Sequence, residues 1–110
     1  MALHDSLAGG RWRSLTLAEQ LGNIGSEVGR AINAAARDDE PRFTGAFDRA
    51  LDLFDLTLAD PRWRGPRLRE IARAREITCD FLIGGNEYQS TAASLDAYFL
   101  QFALAARRSR

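Results

Sequence analysis

The chain has 110 residues, of which 45% are hydrophobic and 27% are charged, and its formal net charge is zero. This length and composition predict one globular domain whose hydrophobic core needs neither disulfides nor a metal. A net charge of zero excludes an overall field that would draw the protein to nucleic acid or to a membrane. The sequence has no signal-peptide-like start and no apolar segment of membrane-spanning length, so we expect a cytoplasmic protein without membrane association.

Residues 1–13 predict a flexible N-terminal arm, and residues 14–110 predict a single helical domain. The first helix is expected to begin after Thr16, because Glu19 three residues later completes a capping box. Its apolar positions recur every three or four residues: Leu17, Leu21, Ile24, Val28, Ile32 and Ala35. The same periodicity assigns Gln20, Asn23, Glu27 and Arg30 to the opposite, polar face. The charged turn RDDEP at 37–41 ends the helix.

The second helix is predicted to contain Pro41 in its first turn, where proline is tolerated. It should stop at Asp60, because a residue that precedes proline disfavours helical geometry. The third helix is expected from near Pro66 to about Ile83. The residues predicted to face the core are Phe43, Phe47, Ala50, Leu51, Phe54 and Leu58 on the second helix, and Leu68, Ile71, Ala72, Cys79 and Leu82 on the third.

A connection containing Gly84 and Gly85, which suit a left-handed C-cap, leads to the fourth helix. Ser90 or Thr91 is expected to cap this helix. Its predicted inward residues are Leu95, Tyr98, Phe99, Phe102 and Ala106. No segment alternates with period two, so the sequence predicts an all-α fold. Four helices joined by short loops favour an up-down-up-down antiparallel four-helix bundle.

Residues 21–29, LGNIGSEVG, place three glycines in the first predicted helix, although each costs a helix roughly 1 kcal/mol relative to alanine. A helical wheel groups them on a face of small residues beside the apolar face: Ala18, Gly22, Gly25, Ser26, Gly29 and Ala36. Such a face lets a neighbouring backbone approach closely. We expect packing within the chain, with a subunit contact through Gly22, Gly25 and Gly29 as the alternative. The spacing does not match a phosphate-binding glycine motif.

The fourth predicted helix is apolar on two sides. Its reverse side carries Ala93, Ala97, Leu100 and Leu104. In a four-helix bundle this side faces water unless another molecule covers it. We therefore predict a homo-oligomer, with a dimer favoured, that uses these four residues. A different protein partner and two tolerated surface leucines are the alternatives.

Two segments share the pattern R-W-R-x-x-x-L-x-E: RWRSLTLAE at 11–19 and RWRGPRLRE at 62–70. An antiparallel bundle would bring both to one pole together with the C-terminus. This pole would hold Arg11, Trp12, Arg13, Arg62, Trp63, Arg64, Arg67, Arg69, Arg107, Arg108 and Arg110. Arginine with aromatic side chains suits phosphate contact and base stacking, so RNA or DNA binding is one interpretation. The other is a solvated pole whose tryptophans pack on the core. The opposite pole is predicted to be acidic: Asp38, Asp39, Glu40 and Glu87.

Carboxylates recur along the second and third helices: Asp48, Asp52, Asp55, Glu76 and Asp80. All-carboxylate sites on helices can hold Mg²⁺, so a Mg-dependent phosphohydrolase is an alternative function. The E-x-x-E and E-x-x-D patterns of all-helical nucleotide pyrophosphohydrolases are missing, and no predicted helix carries a histidine. We therefore expect no enzyme activity, no catalytic residue, no metal and no cofactor, and we expect salt bridges between helices instead.

Arg75 falls within the apolar stripe of the third predicted helix. A buried arginine needs partners, since an unpaired buried charge costs several kcal/mol. Glu27 and Asp55 border the apolar faces of their helices and are the nearest candidates. We predict a buried Glu27–Arg75–Asp55 network that fixes helix register, with ligand binding as the alternative. Cys79, the only cysteine, is expected to be a small buried hydrophobic residue.

Five stretches carry a resemblance to a set of small prokaryotic hypothetical proteins: GSEVGRA (25–31), ALDLFDLTLADP (50–61), RAREITCD (73–80), NEYQST (86–91) and YFLQFALAAR (98–107). This resemblance implies no mechanism. The helical layout is also similar, in topology only, to the four-helix-bundle proteins encoded in 23S rRNA intervening sequences. That likeness favours an RNA or protein partner. Taken together, the sequence predicts a non-enzymatic, self-associating interaction or scaffold protein, with an RNA- or DNA-binding accessory protein as the first alternative.

Overall fold

The computed structural model describes residues 10–108, and this part of the chain is helical without any strand. Its four long helices are α1 (Leu17–Ala36), α2 (Glu40–Leu58), α3 (Pro66–Leu82) and α4 (Ala92–Arg108). Residues 10–12 are also helical and turn into the start of α1. The predicted all-α class is confirmed.

Local capping explains where three of the helices begin. The Thr16 hydroxyl accepts from the Glu19 N–H at 3.1 Å, and the Glu19 carboxylate accepts from the Thr16 N–H at 2.9 Å, which completes the predicted capping box. The Asp39 side chain caps α2 ahead of Pro41. Thr91 caps α4, because its hydroxyl accepts from the Ser94 N–H at 3.0 Å.

The connection after α3 differs from the expected glycine cap. Asn86 and Gln89 take the left-handed conformation, with φ of 52° and 55°, whereas no positive φ occurs at Gly84 or Gly85. The Asp80 carboxylate instead accepts from the backbone N–H groups of Glu87 and Tyr88, at 2.9 and 3.1 Å. These hydrogen bonds accompany a sharp turn at residues 86–89, which follow the two glycines.

Helix α1 lies at the centre of the packing and contacts the other three helices. Its buried apolar residues Leu21, Ile24 and Val28 meet Phe54 of α2, Ile71 of α3 and Phe99 of α4 in one core. The burial of this apolar surface is the main source of stability. Gln20 is also buried on α1, which corrects its predicted place on the polar face, and Glu27 is buried, as its predicted network requires.

The inward face of α3 is shifted from the predicted one. Ile71, Ala74 and Thr78 are buried, while Ala72 is exposed and Cys79 is half-buried. Alanines occur on both the buried and the exposed face of α3, so Ala72 did not indicate which face points to the core. Burial raises the pKa of the Cys79 thiol.

The predicted flexible arm also differs from the structure. Residues 1–9 lie outside the described residues. Trp12, at the end of the predicted arm, is 7% exposed and belongs to the core. Residues 10–13 are therefore part of the folded domain rather than of an arm.

Candidate functional site

The reverse side of α4 is open to solvent at each predicted position. Ala93, Ala97, Leu100 and Leu104 are all exposed, and the two leucines keep 55% and 41% of their surface accessible. We call these four residues the outer face of α4. Large exposed aliphatic side chains at successive turns of one helix form an apolar ridge, which is typical of a contact surface.

The glycines of α1 lie against α4. A Cβ at Gly22 would stand 3.2 Å from the Ala103 Cα, and a Cβ at Gly25 would overlap the Cβ and ring of Phe99. These two glycines therefore permit the close approach of α1 and α4. A Cβ at Gly29 would meet nothing within 4 Å. Close packing within the chain thus accounts for two of the three glycines.

A groove of about 280 Å³ runs between α1 and α4 beside the outer face of α4. Its lining residues are Gly22, Gly25, Ser26, Asp96, Phe99, Leu100 and Ala103. The fold therefore brings together interface candidates from two helices, Gly22 and Gly25 from α1 and Leu100 from α4. A protruding leucine ridge and a recess lie side by side on the same face.

The two R-W-R segments, residues 11–13 and 62–64, meet on the buried side chain of Gln20. The Gln20 amide nitrogen donates to the Trp12 carbonyl at 2.9 Å, and its oxygen accepts from Trp63 Nε1 at 2.8 Å. Trp12 Nε1 in turn donates to the Thr57 hydroxyl at 2.8 Å. Both indoles therefore use their N–H groups to tie the start of α1 to the end of α2.

Asp60 completes this buried polar cluster. Its side chain is 1% exposed and pairs with Arg62, whose Nη2 lies 2.7 Å from Oδ2 and also donates to the Leu15 carbonyl at 2.7 Å. Hydrogen bonds from the Arg62 side chain lower the pKa of Asp60 from 3.8 to about 2. The Arg62 guanidinium also lies over the Trp63 ring, 4.5 Å from its centroid.

This arrangement bears on the predicted nucleic-acid surface. Trp12 is buried and Trp63 is half-buried beneath Arg62, so neither ring is presented for base stacking. The tryptophans pack on the core, as the second interpretation proposed. The exposed arginines of this set are Arg11, Arg13, Arg62, Arg64, Arg67, Arg69, Arg107 and Arg108, of which Arg62 is paired with Asp60, whereas Arg110 lies outside the described residues.

The predicted three-residue network is divided in two. Arg75 Nε pairs with the Asp55 carboxylate at 3.1 Å, and both side chains are more than a third exposed. Glu27 is buried but pairs with Arg30 and Arg49 instead. Because Arg75 stands at the rim of the core, it needs no buried partner, and the prediction of a Glu27–Arg75–Asp55 cluster was wrong.

The carboxylates proposed for Mg²⁺ have other roles or stand apart. Asp80 anchors the connection after α3, and Glu76 accepts a hydrogen bond from the Tyr88 hydroxyl. Asp48 and Asp52 are exposed on α2. Within residues 10–108, no group of three or more histidine, cysteine or acidic side chains is arranged to hold a metal ion.

Arginines were overlooked at the connection between α1 and α2, which was predicted to be acidic. Four arginines, Arg30, Arg37, Arg42 and Arg49, line a cleft there. Arg30 on α1 and its C-cap Arg37 are seven residues apart, as are Arg42 and Arg49 on α2, so each pair lies on one side of its helix. This seven-residue spacing was the sequence pattern that could have indicated the cleft.

No protein-family model, curated protein or solved structure matches this chain. Among the described helices, none has both the length and the apolar character needed to cross a membrane.

Proposed function

We propose that this protein is a non-enzymatic, self-associating interaction protein, and that two copies meet through the outer face of α4 and the neighbouring groove. The observation that carries this proposal is the pairing of exposed Leu100 and Leu104 with a recess bordered by Gly22 and Gly25. A two-fold contact uses the same patch on both copies, so one patch must offer both a ridge and a recess.

The bundle underlying this surface is proposed to run up-down-up-down. Gln20 near the start of α1 contacts Asp60 beyond the end of α2, and Gly22 of α1 contacts Ala103 late in α4. The Tyr98 hydroxyl of α4 donates to Glu70, early in α3, at 3.1 Å. These pairs support antiparallel neighbours, which leave the outer face of α4 on the outside of the bundle.

Charge on α4 favours an antiparallel pairing of the two copies. Asp96 lies one turn before Leu100 and Arg108 lies one turn after Leu104. A two-fold axis between the leucines would place Asp96 of each copy opposite Arg108 of the other. A parallel pairing would instead set like charges against each other. The proposed occupant of this face is therefore a second, antiparallel copy of the chain.

Sedimentation equilibrium of the full chain tests the proposal. The wild type is expected to have a dimeric mass, and Leu100→Glu with Leu104→Glu is expected to be monomeric, because four carboxylates would be buried in each dimer. The matched control is Ile83→Glu, which changes an equally aliphatic side chain that is 64% exposed at the end of α3. A monomeric wild type, or the same loss of dimer in the control, would refute the proposal.

A charge exchange tests the antiparallel arrangement within the same measurement. Asp96→Arg should weaken the dimer, because it places two arginines opposite each other at both ends. Adding Arg108→Asp to the same chain restores opposite charges and should restore the dimer. A dimer that is weakened further by the second change would rule out this arrangement.

A further inference from the structure

The cleft at the connection between α1 and α2 has a volume of about 560 Å³ and a mainly cationic lining. Its charged lining residues are Arg30, Arg37, Asp39, Arg42 and Arg49. We call it the arginine cleft. It lies at the end of α1 and the start of α2, away from the R-W-R segments, which lie at the other ends of these two helices.

Two of the arginines are held in place by one buried carboxylate. Glu27, whose side chain is 8% exposed, accepts from Arg30 through one oxygen and from Arg49 through the other. The arginine side chains remain 66% and 56% exposed. A guanidinium has five N–H donors, so each arginine retains donors for a ligand. Because Glu27 already orders both side chains, a ligand would meet a reduced entropic cost on binding.

The other pair of arginines comes from the connection itself. Arg37 is the C-cap of α1, and Arg42 lies in the first turn of α2, with its Nε 3.3 Å from the Asp39 carboxylate. Asp39 also caps α2 by accepting from the Arg42 N–H at 3.2 Å.

The charge balance in the arginine cleft is positive. Four arginines face two carboxylates, Asp39 in the lining and Glu27 beneath it, which leaves two net positive charges. Asp38 in the same connection and Glu40 at the start of α2 are exposed but do not line the cleft. They reduce long-range attraction, so an anion here must be held by direct contacts inside the cleft.

We propose that the arginine cleft binds a compact oxyanion with several negative charges, of the diphosphate or triphosphate class. The planar fork of arginine donors matches phosphate oxygens in pairs, which gives strong, directed hydrogen bonds. Arginines on both walls can contact successive phosphate groups of one chain. The ligand is either a free polyphosphate or the phosphate tail of a nucleotide, since the recognised chemistry is the same.

Isothermal titration calorimetry of the full chain tests this proposal with inorganic triphosphate and, in a second arm, with ATP. Saturable binding of one anion per chain is expected in both arms. Equal affinities would identify the phosphate chain as the recognised group, and a higher affinity for ATP would identify a nucleotide. Arg37→Ala with Arg42→Ala should weaken binding by about tenfold or more, because two charge-assisted donors are lost.

The matched control is Arg64→Ala with Arg67→Ala, which removes two exposed arginines near the other ends of these helices. The control should bind triphosphate like the wild type, and circular dichroism should show that both double variants are folded. The proposal fails if wild-type binding is not saturable or if both double variants lose affinity equally. It also fails if a short single-stranded DNA binds more tightly than triphosphate and depends on Arg64 and Arg67.

This site is independent of self-association. Arg37 and Arg42 lie outside the outer face of α4, so their replacement should leave the dimeric mass unchanged. A monomeric protein that binds triphosphate, or a dimer that does not, would therefore show which of the two proposals has failed.

Discussion

A side chain at position 25 would overlap Phe99 of α4, whereas a side chain at position 29 would meet nothing within 4 Å. Gly25→Ala should therefore lower the free energy of unfolding by about 1 to 3 kcal/mol, since overpacking outweighs the gain in helix propensity. Gly29→Ala should raise it by up to about 1 kcal/mol, because only the propensity term remains. Urea denaturation of the two variants measures both effects.

The two glycine variants serve as controls for each other, since both change glycine to alanine in the same helix. If Gly25→Ala were as stable as Gly29→Ala, the close approach of α1 and α4 would be incorrect. If both were destabilised alike, the space beside Gly29 would be filled in solution, as a subunit contact there would require.

Sequence patterns at the residue scale predicted most of the apolar core, but they missed the burial of Gln20 and the partners of Glu27. Gln20 and Glu27 lie on the same stripe of α1 as Ile24, Ala31 and Ala34, with spacings of four and three residues. Gln20 was nevertheless predicted on the polar face, and Glu27 was predicted to pair with Arg75. Partners far along the chain, Trp63 for Gln20 and Arg49 for Glu27, decide their burial, and a single-helix pattern contains no information about such partners.

At the scale of elements, a polar cluster of Trp12, Gln20, Asp60, Arg62 and Trp63 joins the start of α1 to the end of α2. We call it the Gln20 cluster. Arg62 contacts the Leu15 carbonyl, and Gln20 joins Trp12, Asp60 and Trp63. The predicted antiparallel bundle, rather than the repeated pattern, indicated that the two segments meet. It did not indicate their role, because Trp12 donates to the Thr57 hydroxyl, a partner that lies 45 residues away in sequence.

The Asp60 carboxylate of the Gln20 cluster makes the free energy of unfolding depend on pH. The pKa of Asp60 falls from 3.8 to about 2 on folding, so its ionised form is favoured in the folded state. The resulting stabilisation, about 2 kcal/mol, is present at neutral pH and is lost as the pH falls from about 5 toward 2. Asp60→Asn should remove this contribution at neutral pH and flatten the acid dependence, as measured by urea denaturation over a pH series.

An exposed carboxylate on the adjoining helix gives the control for this acid dependence. Asp48→Asn should retain the pH dependence of the wild type, because Asp48 is exposed on α2 and lies outside the Gln20 cluster. If Asp60→Asn and the wild type lost stability in parallel between pH 5 and 2, the Asp60–Arg62 pair would not be the source of the effect.

Helix ends were predictable where the signal is local. The capping box at Thr16 and Glu19, Pro41 in a first turn and the stop before Pro61 all act within a few residues. The connection after α3 was not predictable in the same way. Its left-handed residues are fixed by the Asp80 carboxylate, which reaches the N–H groups of residues seven and eight positions later.

At the scale of the whole molecule, two features lie on different surfaces. The outer face of α4 presents exposed leucines beside a groove. The arginine cleft presents oriented cations where α1 ends and α2 begins. Helical periodicity predicted the exposed leucines, which depend on α4 alone, but not the recess, which lies between α1 and α4. The arginine cleft depends on two helices and on the buried carboxylate of Glu27, so counting the charges on either helix alone did not indicate it.

The most direct test of self-association observes the surface itself. In methyl NMR spectra of the unmodified protein, recorded over a dilution series, the Leu100 and Leu104 methyl resonances should shift with concentration as the dimer forms. The Ile83 methyl resonances, which belong to an exposed residue at the end of α3, should stay constant. Leucine resonances that do not change with concentration, or shifts confined to Ile83, would contradict a subunit contact on the outer face of α4.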